Sequence, residues 1–212
     1  MRLFSLVERF LNHLRSCLFQ KQFKHICHTS RINYTVTVYN PDNLVMGENT
    51  NIDAGGVIMN TRAKFIMKTN SGAAIGLLAV TGNHMSVVGK NLKQVTDRVK
   101  DELDVNREMD KDIVVEEDVW IGSHVTLLAG VRLGRGCEVG SGSVVRGNVP
   151  PYSVVIGNPC KVVGFRFTPE EIYEHEKVQY GENDRLPLDL VQKNYDKYFL
   201  KRIQDIKQYT KL

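Results

Sequence analysis

A chain of 212 residues, 42% of them hydrophobic and 25% charged, can bury a substantial core as one medium-sized domain with appendages. The net charge of +4 is mild and its lysines and arginines are scattered among acids, which argues against a dedicated nucleic-acid binder. No apolar run could span a bilayer, Glu8 and Arg9 interrupt the stretch where a signal-peptide core would lie, and Cys17, Cys27, Cys137 and Cys160 form neither a disulfide framework nor a zinc pattern; a cytoplasmic protein with reduced thiols is expected.

Residues 1–31 are predicted to form an amphipathic helical segment. Leu3, Val7, Phe10, Leu14 and Leu18 share one helical face, with Arg2, Arg9, Arg15, Lys21 and Lys24 nearby. That face is expected to pack on the end of the main domain or on a neighbouring subunit, with peripheral attachment to an anionic membrane as the alternative. His13, His25 and His28 in this region read as solvated or packed side chains.

From residue 32 to 164 a six-residue spacing dominates. It begins with Met46-Gly47, Ile52-Asp53 and Ile58-Met59, slips in phase between Arg62 and Phe65, and resumes at Ile75-Gly76. A polar interruption of about 81–112 follows, with Val87, Val88, Leu92 and Val95 among many charges and a short helix predicted over Gln94 to Leu103. Loops that leave a rigid scaffold often carry function. Beyond it the repeat is clean: Val115, Ile121, Leu127, Leu133, Val139 and Val145 hold one phase, and Val119, Val125, Val131, Cys137, Ser143 and Val149 a second.

A helix brings apolar residues round every three or four positions and a half-buried strand every second one, so six fits neither alone. It fits short strands joined at corners, one large aliphatic side chain per strand pointing inward and a smaller one beside it. Coils of this kind pair in parallel and bury one narrow core, as a solenoid. The tail, 165–212, is predicted to be helical. Thr168, Pro169 and Glu171 make a helix start with a capping box, and Val191, Tyr195, Tyr198, Ile203 and Ile206 make a second amphipathic stretch that would cover the solenoid end and an oligomer contact.

The runs Val119-Trp120-Ile121-Gly122-Ser123-His124-Val125, Ala129-Gly130-Val131, Gly140-Ser141-Gly142-Ser143-Val144-Val145, Pro150-Pro151 and Gly157-Asn158-Pro159-Cys160-Lys161-Val162 resemble the hexapeptide-repeat acyltransferases. The likeness is greatest to the branch with maltose, galactoside and serine O-acetyltransferases and the acetyltransferases of bacterial polysaccharide gene clusters, and it covers about Thr81 to Gly164. It implies an all-β solenoid, a left-handed parallel β-helix, which is an exception to the right-handed crossover rule. It further implies acetyl-CoA as acyl donor, no metal, and a homotrimer with active sites between subunits.

Within that resemblance Thr81-Gly82-Asn83-His84 heads the interrupting loop, where the family places its general base, so His84 is expected to be catalytic. A sugar or serine hydroxyl is a poor nucleophile near neutral pH, and imidazole can take its proton as the oxygen attacks a thioester carbonyl. Asn83 beside it is the candidate for contact with the acceptor. The resemblance assigns Trp120 to the lining of the acyl-donor tunnel, Ser123 and Ser141 to the pantetheine arm, and Arg146 and Lys161 to the nucleotide phosphates. Gly164 stands where a second basic group belongs in the galactoside pattern, and Arg166 is the candidate to replace it. His124 reads as outward-facing, His175 as solvated or packed, and a metal site would need two further histidine partners for His84 that the sequence does not supply.

The expected function is therefore acetyl-CoA-dependent O-acetyl transfer to a hydroxyl of a sugar or glycan precursor. The alternatives are the same chemistry on serine, an amino sugar or an antibiotic such as chloramphenicol, or a non-catalytic β-helix scaffold.

Overall fold

A computed structural model of the protein describes residues 2–201, with side chains from residue 7 onward. The centre of the chain winds as a left-handed parallel β-helix with three flat faces. On face one, Arg31–Ile32, Asn51–Ile52, Gly72–Ala73, Trp120–Ile121, Glu138–Val139 and Ser153–Gly157 pair in parallel order. Face two stacks Thr37–Val38, Val57–Met59, Leu78–Val80, Thr126–Leu127 and Val144–Val145; face three stacks Leu44–Met46, Phe65–Met67, Ile113–Val115 and Arg132–Leu133.

All the positions in both phases of the repeat from Val115 to Val149 are buried, Cys137 and Ser143 included. With Phe65, Met67, Ile52, Ile58 and Leu44, all of them but the polar Ser143 form a single core cluster along the axis. The phase slip has a geometric cause. Late coils return every eighteen residues, as in Ile121 to Val139 or Leu127 to Val145. Early coils are two or three residues longer, as in Ile32 to Ile52 and Ile52 to Ala73. The surplus lies at the edge between faces two and three, where Asn40, Asn43 and Asn60 brace widened corners through Asn40 N–H to Asn60 Oδ1 at 3.0 Å and Asn60 Nδ2 to Asn40 O at 2.8 Å. The loop 81–112 leaves from that same edge, one coil further on.

Within the loop, the helix expected over Gln94 to Leu103 is shorter: a 3-10 turn at Leu92–Gln94 precedes helix α2, Asp97–Leu103, capped by Thr96. Helix α1, Arg2–Gln20, packs on the first coil of the solenoid, and the apolar face picked out by its periodicity is not the side that makes this contact. Its polar side docks on the solenoid, with Gln20 Nε2 donating to Ser30 O at 2.8 Å and Tyr34 N–H to Ser16 Oγ at 3.2 Å. Phe19 and Phe23 close the solenoid mouth, while Val7, Phe10, Leu11, Leu14 and Leu18 are exposed. The docking side is set by hydrogen bonds to the first coil and by these two phenylalanines, which the periodicity of the apolar face does not register. The side chain of Leu3 lies outside the described residues. Among the described residues no helix is long and apolar enough to cross a membrane.

At the other end the strand Cys160–Phe165 turns back antiparallel on Ser153–Gly157. Helix α3, Pro169–Gln179, starts with the Thr168–Glu171 capping box, and helix α4, Leu188–Tyr195, runs into a wider turn at Asp196–Leu200; Ile203 and Ile206 lie outside the described residues. An ionic clasp holds α3 to the solenoid. Buried Glu176 accepts from Tyr152 Oη at 2.5 Å and Arg135 Nη1 at 3.0 Å, and Arg135 also bonds Glu117 at 3.2 Å.

Two predictions follow from this packing. A Cβ at Gly134 would lie 2.6 Å from Pro151 N and 2.7 Å from Val149 O, backbone atoms that cannot move aside cheaply. Gly134→Ala should destabilise the protein by about 1–3 kcal/mol, read as a lower melting temperature by circular dichroism; an unchanged melt would contradict the packing. Burial pushes the Cys137 thiol far above its ordinary value, so it stays protonated near neutral pH and poorly nucleophilic, whereas Cys17 is exposed. Ellman's reagent should label Cys17 in the native protein and Cys137 only after unfolding.

Candidate active site

Thr81 is buried, and its Oγ1 donates to Met59 O at 3.1 Å, pinning the point where the loop departs. The two stems are zipped by Asn83 N–H to Met109 O at 2.9 Å and Lys111 N–H to Thr81 O at 2.9 Å. Helix α2 folds back over this root, and a cavity of about 780 Å³ opens between them, lined by Met59, Arg62, Val80, Asn83, His84 and Lys100 among others. His84 is exposed at this cavity and makes no hydrogen bond to the described residues, so both ring nitrogens are open to a ligand. Asn83 lines the same cavity.

Moving along the edge between faces two and three toward the carboxyl terminus, the next corner is Leu128-Ala129-Gly130 and the one after it Arg146-Gly147-Asn148. At about 4.8 Å per coil, Arg146 lies roughly 10 Å along the axis from the loop root. There it lines a cleft of about 500 Å³ with Lys161, Pro159, Val162 and Tyr198. Neither Arg146 nor Lys161 is paired with a carboxylate among the described residues, which leaves two cations facing one cleft.

The other sequence-predicted residues sit elsewhere. Ser123 and Ser141 stack on the edge between faces one and two, Ser123 N–H donating to Ser141 Oγ at 3.1 Å. Trp120 stands half-exposed on face one with its ring across Gly72, whose missing side chain makes room: a Cβ there would be 3.1 Å from Trp120 Cζ3 and 2.7 Å from Asn51 Oδ1. The edge carrying His84 is opposite face one, so a single chain does not bring Trp120 and His84 together. Arg166 is not free for phosphate: it holds Asp118 Oδ2 at 2.8 Å and Gly136 O at 3.0 Å and lies over Phe167. His124 is exposed beside Gly76, and His175 packs on Tyr152 and Phe167. Sequence reasoning missed Lys100, Asp110 and Arg62, which meet under the loop root; only their scatter across separate elements is visible in the sequence.

A family model described as bacterial transferase hexapeptide (six repeats) matches residues 112–147. Residues 112–147 therefore carry hexapeptide repeats. A chloramphenicol acetyltransferase of Klebsiella aerogenes is 48% identical over 59 residues, 28% of this chain and 28% of that protein, so the chain spans little more than a quarter of that relative's length. Among solved structures, a hexapeptide-repeat-containing acetyltransferase from Vibrio cholerae superimposes with a TM-score of 0.57 at 25% identity, covering 70% of this chain and 77% of that one. A maltose O-acetyltransferase from Clostridium difficile gives a TM-score of 0.55 at 23% identity, covering 68% and 71%. The matched repeats include Trp120, Ser123, Ser141 and Arg146; the loop with His84 lies before them.

Trp120 is the single tryptophan, so its emission reports its own surroundings. Gly72→Val should lift the indole from the sheet and increase its quenching by acrylamide; identical quenching in both proteins would refute the stacking.

Proposed function

We propose that the protein is an acetyl-CoA-dependent O-acetyltransferase acting on a hydroxyl of a sugar or glycan precursor, with His84 as general base. The observation that carries this reading is an imidazole at a ligand-sized cavity and, two coils further along, a cleft shared by Arg146 and Lys161, all three without a carboxylate or hydrogen-bond partner for their charged or ring nitrogens among the described residues. That spacing suits an extended pantetheine arm, with its thioester at the loop root and its phosphates against Arg146 and Lys161. The Vibrio cholerae relative has been solved with acetyl coenzyme A bound.

In this reading His84 accepts the acceptor's hydroxyl proton as the oxygen attacks the thioester carbonyl carbon. Backbone amides of the groove hold the negative charge on the carbonyl oxygen. Collapse breaks the carbon–sulfur bond, and the proton passes from His84 to the departing sulfur, giving an acetyl ester and a free thiol. Trp120, Ser123 and Ser141 serve this site from a second copy in a homotrimer, because they lie on other sides of the chain that carries His84. The likeness to a chloramphenicol acetyltransferase favours chloramphenicol as a second acceptor class.

Thiol release from acetyl-CoA should be measured with maltose, a galactoside and chloramphenicol as acceptors. His84→Ala should slow transfer by roughly a hundredfold or more while acetyl-CoA still raises the melting temperature. Replacing Arg146 and Lys161 with alanine should raise the KM for acetyl-CoA with little change in kcat. Near-normal turnover in His84→Ala removes the base assignment, and absence of any acetyl-CoA stabilisation of the wild type favours a scaffold.

A further inference from the structure

We propose that Lys100 is a positioning residue for His84, acting through the peptide bond between Asn83 and His84; this rests on the reading of His84 as the base. Lys100 Nζ donates to Asn83 O at 2.8 Å and to Asp110 Oδ1 at 2.7 Å. The carbonyl it grips belongs to the same peptide plane as the His84 backbone nitrogen, so the bond fixes the plane from which the imidazole projects. His84 has no hydrogen bond of its own to the described residues, and its placement therefore depends on its backbone.

The grip is itself held on three sides. Asp110 presents its second oxygen to Arg62 Nε at 3.0 Å, and Arg62 also pairs with Asp101 of α2, tying the helix that carries Lys100 to a corner of the preceding coil. Gly82 and Asp110 form an antiparallel bridge, and a Cβ at Gly82 would strike Asp110 Oδ1. The side chains of Lys100 and Asp110 are only 11% and 4% exposed. Lysine is rarely buried, and a buried ion pair is weak support for stability compared with apolar packing of the same volume. What an ammonium clamped between one carboxylate and one carbonyl does supply is a single defined geometry, at the place where the proposed chemistry requires it. Misplacing a reacting group by about 1 Å can cost about a hundredfold in rate.

The test compares Lys100→Met and Asp110→Asn, each alone and combined with His84→Ala. Asp110→Asn keeps the shape of the side chain and guards against failure of Lys100→Met to fold, which circular dichroism will reveal. Two readouts are taken: thiol release from acetyl-CoA with the acceptors named above, and the His84 signal in proton–carbon spectra of protein labelled at the histidine Cε1, assigned by its loss in His84→Ala. Each single variant is expected to lower kcat roughly 10- to 100-fold with the KM for acetyl-CoA unchanged, and to broaden or split the His84 signal while the other five histidines stay put. In the His84→Ala background neither should slow the residual rate further. An equal additional loss there, or an unaltered His84 signal in both variants, overturns the inference. Full turnover in His84→Ala alone overturns the base assignment instead, and the spectra then decide by themselves whether Lys100 holds that residue in place.

Discussion

Each coil of this protein is closed by the coil beside it. On face one Arg31 N–H donates to Thr50 O, Asn51 N–H to Ser71 O, Gly72 N–H to Val119 O and Trp120 N–H to Cys137 O, all between 2.8 and 3.2 Å. Such a ladder satisfies the backbone only if successive strands stay in register, and register holds only if the inward side chains recur. The faces therefore have little freedom. Departures from the repeat collect at the edges, where extra residues can bulge outward without breaking a strand pair.

One edge has been used in this way three times in succession. Asn40–Asn43, then the corner around Asn60–Lys64, then the whole loop 81–112 leave the solenoid between faces two and three. The asparagine braces show how a widened corner is sealed: side-chain amides of two adjacent coils donate to each other's backbone carbonyls, Asn40 to Thr61 O and Asn60 to Asn40 O. The loop needs a stronger seal because it is longer, and its root is closed by charge, with Asp110 between Lys100 and Arg62. Stability of the scaffold and precision at the cavity thus have different sources, apolar stacking along the axis and an ionic lock at one corner.

The candidate residues divide by edge. Asn83, His84 and Arg146 belong to the edge between faces two and three, and Lys161 meets Arg146 in its cleft from the antiparallel strand that ends the face-one sheet, whereas Ser123 and Ser141 mark the next edge and Trp120 the face opposite. Side chains spread around a narrow prism cannot converge within it, since the core between them is filled by Ile121, Leu127, Leu133 and their neighbours. A site that uses all of them needs a second copy of the chain.

The sequence by itself determined the solenoid, since a six-residue apolar period has one economical folded form, and it determined the start of α3, since Thr168 and Glu171 interact only with their own helix. It also located the loop, because a run of charges cannot continue a filled core. It did not determine which side of α1 faces the solenoid, nor that Arg166 is consumed by Asp118, because both depend on partners far away in the chain. Least legible of all was the meeting of Arg62, Lys100 and Asp110. No local period relates them, and only the return of α2 onto the corner beneath it brings three charges from separate turns of chain to one buried point.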